Sequence, residues 1–250
     1  MSIHVWFRFY EELNDFLPAS RRKIPFPLTI KGNRTVREAI EECGVPPVEV
    51  DLILVNGKSV DFGYRLKNSD QVSVYPSFET FDIEDLIRLR EKPLREPSFI
   101  LDVHLGKLAR YLRLCGFDTL YGTDLSDDEI INLSLLQKRI IVTRDKRLLA
   151  NKKVTHGIRI RSQYPESQLK EVFDRLDLKN TAKPFTICIE CNGRLAEVRK
   201  EAILERLPLR TREFYNEFKL CRNCGHIYWE GSHFKRMKEF ISIFTGKNID

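Results

Sequence analysis

Apolar and polar positions alternate in the first eighty residues in the manner of half-buried strands. The run "IHVWFRF" at 3–9 has a period of two, and "FPLTI" is a second apolar run. Thr35 then precedes the helical pattern "VREAIEECG", which ends at Gly44. "LILVNGKSV" places an Asn-Gly turn between two strands, and "DQVSVYPS" supplies a last strand. Residues 1–80 are therefore predicted to form a small α+β domain.

The pattern changes after a charged segment. Residues 81–98 contain Pro93 and Pro97 and are predicted to be a linker with a short helix. From Phe99 onward, the short apolar runs "FILDV", "FDTLY", "RIIVT" and "GIRIR" alternate with the helical patterns "HLGKLARYLRLCG" and "DDEIINLSLLQ". Near-continuous apolar strands joined by helices predict an α/β fold with a parallel sheet.

Composition and charge narrow the class of protein. The 250 residues are 42% hydrophobic and 31% charged, which is typical of a folded chain. Neither a membrane-spanning run nor a signal peptide is evident, so a cytoplasmic location without membrane association is expected. Residues 151–250 hold twenty Lys and Arg against thirteen Asp and Glu. This excess favours a polyanionic partner, although basic residues also serve solubility alone.

Carboxylates stand where predicted strands end. Asp102 closes the first strand of the α/β segment, Asp145 closes the third, and Asp127 and Asp128 open the helix between them. Acids that converge at one sheet edge repel each other unless a cation neutralises them, and oxygen ligands suit Mg²⁺ or Mn²⁺. Each acid also has a simpler interpretation, as a helix-dipole partner, a turn residue or a cap. Phosphoacceptor domains and phosphatases carry Asp at strand ends as well.

Four of the six cysteines form two C-x2-C pairs. "CIEC" supplies Cys188 and Cys191, and "CRNC" supplies Cys221 and Cys224, with 29 residues between the inner cysteines. Two such pairs complete a tetrahedral Zn²⁺ site with no open position, which predicts a structural zinc. A redox dithiol or an iron–sulfur cluster is the alternative. The other two cysteines precede glycines at helix ends and are interpreted as packing residues.

The order of elements in residues 1–80, with "LVNGKSV" and "LKNSDQVSVYP", resembles the ubiquitin-like β-grasp of sulfur carriers. Those carriers end in a free Gly-Gly tail. "PSFETFDIED" has no Gly-Gly and continues into the chain, so a sulfur-carrier activity is not expected.

The stretch from "FILDVHLGKLARYLRLCGFDTLYGTDLSDDEI" to "RIIVTRDKRLL" resembles the PIN-like ribonuclease family with a C-terminal zinc ribbon, a module also found at the end of Mut-7-type exonucleases. The resemblance implies a ubiquitin-like β-grasp at 1–80, a linker at 81–98, a PIN-like parallel-sheet nuclease domain at 99–180, and a zinc ribbon with a basic C-terminal helix at 181–250. It also implies that Asp102, Asp127 and Asp145, with Asp128 in support, bind the catalytic metal.

The favoured hypothesis is a metal-dependent ribonuclease that leaves a 5′-phosphate and a 3′-hydroxyl, as the resemblance implies. Structural Zn²⁺ and catalytic Mg²⁺ or Mn²⁺ are its expected cofactors. The zinc ribbon and the basic C-terminal region would hold RNA, and the N-terminal domain would bind a protein partner or restrict access. The alternative is a non-catalytic RNA-binding adaptor. The candidate phosphate contacts are Lys107, Arg110, Arg113, Arg144, Lys146 and Arg147.

Overall fold

A computed structural model describes residues 2–76 and 97–246 of the chain. The predicted linker at 81–98 lies, up to residue 96, outside the described residues. Contacts divide the chain into two compact units. The first comprises Met1–Arg95 and Asp127–Arg159, and the second comprises Glu96–Ser126 and Ile160–Asp250.

A five-stranded mixed sheet forms the N-terminal domain. Its strands run in the order β2-β1-β5-β3-β4, with β1 and β5 parallel and the other neighbours antiparallel. The alternation at 3–9 becomes a buried face, since Val5, Phe7 and Phe9 are almost completely inaccessible. The strands are β1 (Ser2–Phe9), β2 (Phe26–Lys31), β3 (Leu52–Val55), β4 (Lys58–Val60) and β5 (Gln71–Tyr75).

Helix α1 (Val36–Glu42) covers this sheet, and local sequence signals set its position. Thr35 and Glu38 form a capping box, because the Thr35 side chain accepts the Glu38 N–H and the Glu38 carboxylate accepts the Thr35 N–H. The turn between β3 and β4 needs positive φ at both central residues, with 50° at Asn56 and 79° at Gly57. The predicted small α+β domain is therefore confirmed.

Two strand–helix segments follow, and each contributes a parallel strand pair. The first contains β6 (Phe99–Leu101), α2 (Gly106–Leu114) and β7 (Thr119–Tyr121), with β6 parallel to β7. The second contains α3 (Asp127–Gln137), β8 (Ile140–Thr143), α4 (Lys146–Ala150) and β9 (Gly157–Arg159), with β8 parallel to β9. All four predicted strands are present, which confirms the mixed α/β character of this part.

The apolar face of α2 packs against helix α5 (Pro165–Leu176). Leu108, Ala109 and Leu112 are fully buried, as the helical spacing predicts. The chain leaves α2 through Gly116, where φ is +89° and a Cβ would collide with the Lys183 carbonyl. Only glycine fits this close approach.

A three-stranded antiparallel sheet lies in the C-terminal part, in the order β10 (Leu195–Val198), β11 (Phe218–Cys221) and β12 (Ile227–Trp229). Helix α6 (Leu209–Phe214) precedes β11. Helix α7 (Ser232–Thr245) follows β12, and its Phe240 ring lies 4.6 Å from the Tyr111 ring of α2. None of the helices in the described parts of the chain combines the length and apolar composition needed to cross a membrane.

Candidate functional site

Four cysteine sulfurs come together beside the three-stranded sheet. Cys188, Cys191, Cys221 and Cys224 each offer one ligand atom, and all four atoms lie within 4.8 Å of one another. The sulfurs of Cys188 and Cys224 are 3.7 Å apart, and those of Cys191 and Cys221 are 3.4 Å apart. Four Zn–S bonds of about 2.3 Å in a tetrahedron place the sulfurs about 3.8 Å apart. The donor set and its spacing therefore fit a metal ion such as zinc.

Backbone hydrogen bonds shape both cysteine turns. In the first turn the Asn192 N–H donates to the Cys188 carbonyl at 3.0 Å, and in the second the Gly225 N–H donates to the Cys221 carbonyl at 2.9 Å. Gly225 has a φ of +72°, which favours glycine. Gly193 is required for space instead, because a Cβ there would lie 2.9 Å from the Cys221 sulfur.

Burial and neighbouring hydrogen bonds shift the pKa values of the clustered cysteine thiols. Burial acts to raise the pKa of Cys221, but the Cys224 and Asn223 backbone N–H groups outweigh it and lower the pKa to about 7. Desolvation within the cluster raises the pKa of Cys191 to about 12. The Tyr228 hydroxyl accepts the Ile189 N–H at 3.2 Å and lies within hydrogen-bond distance of the Cys188 sulfur, at 3.1 Å. Sequence reasoning did not assign Tyr228 this contact, because nothing local links it to "CIEC".

Arg113 of α2 ties the first cysteine turn to the α/β segment. Its guanidinium donates to the Thr119, Ile189 and Glu190 carbonyl oxygens, each at 2.9 Å, and the residue is only 5% exposed. Arg113 was predicted to contact RNA phosphate; in the structure its buried guanidinium binds three carbonyl oxygens and holds the fold together.

Asn192 makes a second connection between the first cysteine turn and β7. Its amide donates to the Asp118 carboxylate at 2.6 Å and accepts the Thr119 N–H at 2.8 Å. A positive φ of 65° directs Asn192 toward these partners. An Asn after a C-x2-C pair is a weak sequence signal, and sequence reasoning missed it.

Asp102 lies directly after β6 and is 7% exposed. Its carboxylate accepts the His104 N–H at 2.9 Å and begins a 3₁₀ turn at Val103–Leu105. The Tyr121 hydroxyl of β7 donates to the Val103 carbonyl at 3.0 Å and holds the same turn. This carboxylate is therefore fixed in place at the end of the strand.

The other predicted acids lie in the first unit. Asp145 follows β8 and caps α4, since its carboxylate accepts the Arg147 N–H at 2.7 Å. Its own N–H donates to the buried Thr143 hydroxyl at 2.8 Å. Asp127 and Asp128 are exposed in the first turn of α3. Asp145 thus performs the capping role of the simpler interpretation, and its side chain stays exposed.

The five remaining candidate phosphate contacts have different surroundings. Arg110 pairs with Glu190 through two contacts of 2.7 and 3.4 Å. Lys107 lies over the Tyr111 ring and 3.7 Å from Glu166; the hydrogen bond with Tyr111 and the carboxylate raise the pKa of Lys107. Arg144 and Arg147 have exposed side chains, and Lys146 donates to a carbonyl of the N-terminal domain.

The C-terminal aromatic residues pack within the protein. The Phe234 ring lies 4.4 Å from Phe185, and Trp229 packs against the small core of Ile203, Leu207 and Phe218. These rings stabilise the three-stranded sheet and α7. Cys43 and Cys115 are buried as expected of packing residues, and burial raises the pKa of each thiol to about 12.

By its fold and its site, the chain combines a ubiquitin-like N-terminal domain, a mixed α/β segment and a four-cysteine cluster. Comparison with family models identifies the family to which this combination belongs. A model described as "Mut7-C RNAse domain" matches residues 97–241, more than half of the chain, and one described as "Mut7-C ubiquitin" matches residues 2–82. The chain belongs to the Mut7-C RNAse domain family, which confirms the resemblance seen in the sequence.

Two solved structures of small archaeal modifier protein 1 from Haloferax volcanii are similar to the N-terminal part. Each is 16% identical, covers 30% of this chain with a TM-score of 0.24, and is itself covered over 97% or 96% of its length. The search among curated proteins returned no significant match.

Proposed function

We propose that the chain is a metal-dependent ribonuclease that hydrolyses RNA phosphodiester bonds. The observation that carries this proposal is family membership: the Mut7-C RNAse match spans 97–241 and includes every predicted acid and all four clustered cysteines. The α/β segment would form a PIN-like fold, and the cysteine sheet would form a zinc ribbon.

Asp102, Asp127 and Asp145, with Asp128 in support, would hold Mg²⁺ or Mn²⁺. When bound, such an ion would supply an activated water molecule and neutralise charge on the phosphate. The residues of this chain would then have distinct tasks. The Asp102 carboxylate, held by the His104 N–H, keeps its orientation after β6. The Asp145 carboxylate keeps its position at the start of α4 through the Arg147 N–H.

Zinc at the four cysteines would be structural, since four thiolates leave no position for substrate. RNA would contact the basic C-terminal region and the exposed basic side chains of Arg144 and Arg147. Arg110 and Lys107 would contribute only by exchanging their carboxylate partners for phosphate.

The test is cleavage of labelled single-stranded RNA by the zinc-loaded chain with Mn²⁺. Asp102→Asn and Asp145→Asn each keep the shape of the side chain and its capping hydrogen bond while removing a metal-binding charge. Each substitution is expected to lower kcat at least about 100-fold with RNA binding retained. Asp174→Asn removes the charge of a half-buried acid that pairs with Lys170 on α5, and should leave cleavage unchanged.

A specific observation favours the adaptor alternative: both Asp102 and Asp145 already perform local capping roles. An adaptor would bind RNA with no Mn²⁺-dependent cleavage. Cleavage that survives both Asn substitutions would instead show that the acidic site is wrong.

A further inference from the structure

The turn that carries Asp145 contacts the N-terminal ubiquitin-like domain. Both belong to the same compact unit. The contact uses a 3₁₀ segment, Glu11–Phe16, that follows β1, and basic side chains of α4 and β9.

Asn14 gives the 3₁₀ segment a fixed shape. It is 4% exposed, and its amide donates to the Phe9 and Glu11 carbonyls, each at 2.9 Å. Its carbonyl oxygen accepts the Lys23 N–H at 2.6 Å. Leu13 and Leu17 anchor the segment in the core. The Asp15 carbonyl and the Phe16 ring are therefore presented by a rigid support.

Lys146 binds to this support. It is the first residue of α4 and directly follows Asp145. Its Nζ donates to the Asp15 carbonyl at 3.0 Å and lies 5.2 Å from the centre of the Phe16 ring. The ammonium group thus has a hydrogen-bond acceptor and an aromatic face on the ubiquitin-like domain.

Arg159 at the end of β9 strengthens the same contact. Its guanidinium lies 5.4 Å from the centre of the Phe16 ring, so two cations share one ring. The Arg159 N–H donates to the Glu49 carboxylate at 2.6 Å, and Glu49 is 2% exposed. A buried, charge-assisted hydrogen bond fixes β9 against this domain.

We propose that the ubiquitin-like domain is a positioning element of the nuclease, in which Phe16 and the Asp15 carbonyl hold Lys146 and thereby fix the turn of Asp145. This inference rests on the proposed function for its catalytic consequence. The physical reason is the shortness of α4. A five-residue helix has little stability of its own, so the orientation of its capping carboxylate depends on tertiary contacts. Lys146 is a positioning residue and not an RNA contact.

Phe16→Leu and Lys146→Met test the contact. Phe16→Leu keeps an apolar side chain but removes the ring face, and Phe16→Tyr restores the ring. Lys146→Met keeps the length of the side chain and removes its charge. The control, Lys152→Met, removes an exposed lysine of the same unit. Hydrogen exchange of peptides covering 143–150 is measured alongside steady-state cleavage of RNA with Mn²⁺.

Both test variants are expected to accelerate exchange at 143–150 by about three- to tenfold. Both should also lower kcat by about three- to tenfold with KM for RNA unchanged, because a displaced carboxylate holds the metal less well. Phe16→Tyr and Lys152→Met should behave as the wild type, and the double variant should be no worse than either single variant.

Unchanged exchange in both test variants would overturn the proposal. So would a Lys146→Met variant that raises KM with kcat unchanged, because that pattern identifies a phosphate contact. Exchange does not depend on cleavage. If the wild type cleaves no RNA, the ribonuclease proposal fails, and faster exchange in the two variants still establishes the domain contact.

Discussion

Two arginines on α2 show how burial decides what a charged side chain does. Arg110 and Arg113 lie about one helical turn apart, and both contact the first cysteine turn. Arg110 makes an exposed ion pair with Glu190, whereas the buried Arg113 guanidinium satisfies three carbonyl oxygens. An exposed pair contributes little to stability, while buried acceptors that lose their donor are costly.

Arg113→Met is therefore expected to lower the free energy of unfolding by about 3 kcal/mol or more, because three acceptors lose their donor. Arg110→Met, on the same helix and beside the same turn, should cost about 0–1 kcal/mol. Denaturant unfolding of both variants in saturating zinc checks this prediction. Equal losses for the two variants would contradict it.

At the scale of elements, the three-stranded sheet is too small to be stable by itself. Its strands have three or four residues each, and its core consists of Ile203, Leu207 and Phe218 with a few half-buried neighbours. Sheets of this size usually need a staple such as a metal ion. The four-cysteine cluster lies where such a staple would act, between the first cysteine turn and the turn that joins β11 to β12.

Chelation of zinc is expected to unfold this sheet and expose Trp229. In a Trp6→Phe background Trp229 is the remaining tryptophan of the chain, so its fluorescence reports the sheet alone. Zinc binds thiolates, and the thiol of Cys191 has a pKa raised to about 12, so binding must release protons. The apparent zinc affinity should therefore fall as the pH is lowered from about 8 to about 6. Native fluorescence after complete removal of the metal would contradict this prediction.

At the scale of the whole molecule, the net charge of +6 fits a polyanionic substrate. Individual basic side chains nevertheless differ in the groups of the protein that they bind. Arg113 and Lys146 bind carbonyl groups of the protein itself. Their positive charges contribute to the long-range field of the protein. Arg144 and Arg147 remain proposed contacts beside Asp145.

The salt dependence of RNA binding should distinguish a basic side chain that contacts phosphate from one that binds a carbonyl group of the protein. Arg147→Ala is expected to reduce the slope of log affinity against log salt by about 0.7, as for one lost phosphate contact with a single strand. Lys146→Met should leave the slope nearly unchanged. Binding is measured with the Asp145→Asn background in both cases, so that the RNA stays intact. A larger slope change for Lys146→Met than for Arg147→Ala would reverse this assignment.

The sequence alone determined the secondary structure of the described segments and the four cysteines that come together as a candidate metal site. The strand alternation at 3–9, the Thr35 capping box, the Asn-Gly turn and the two C-x2-C pairs each depend on a few neighbouring residues. Local physics therefore carried these predictions: period, caps and turn geometry act within a few residues. The linker at 81–98 stays a prediction, because its residues up to 96 lie outside the described parts of the chain, and the acidic site stays a proposal.

Only the tertiary structure decided which groups the individual basic side chains bind. Lys107, Arg110 and Arg113 share a spacing that predicts one basic flank, yet Arg113 is covered by a turn 76 residues away in the chain. Lys146 donates to the Asp15 carbonyl, which lies 131 residues away in the chain. Helical periodicity states which residues lie on a face, but not which distant segment covers that face. Burial and partners come from contacts between segments far apart in sequence, and these contacts decide whether a base holds the fold together or stays available to RNA.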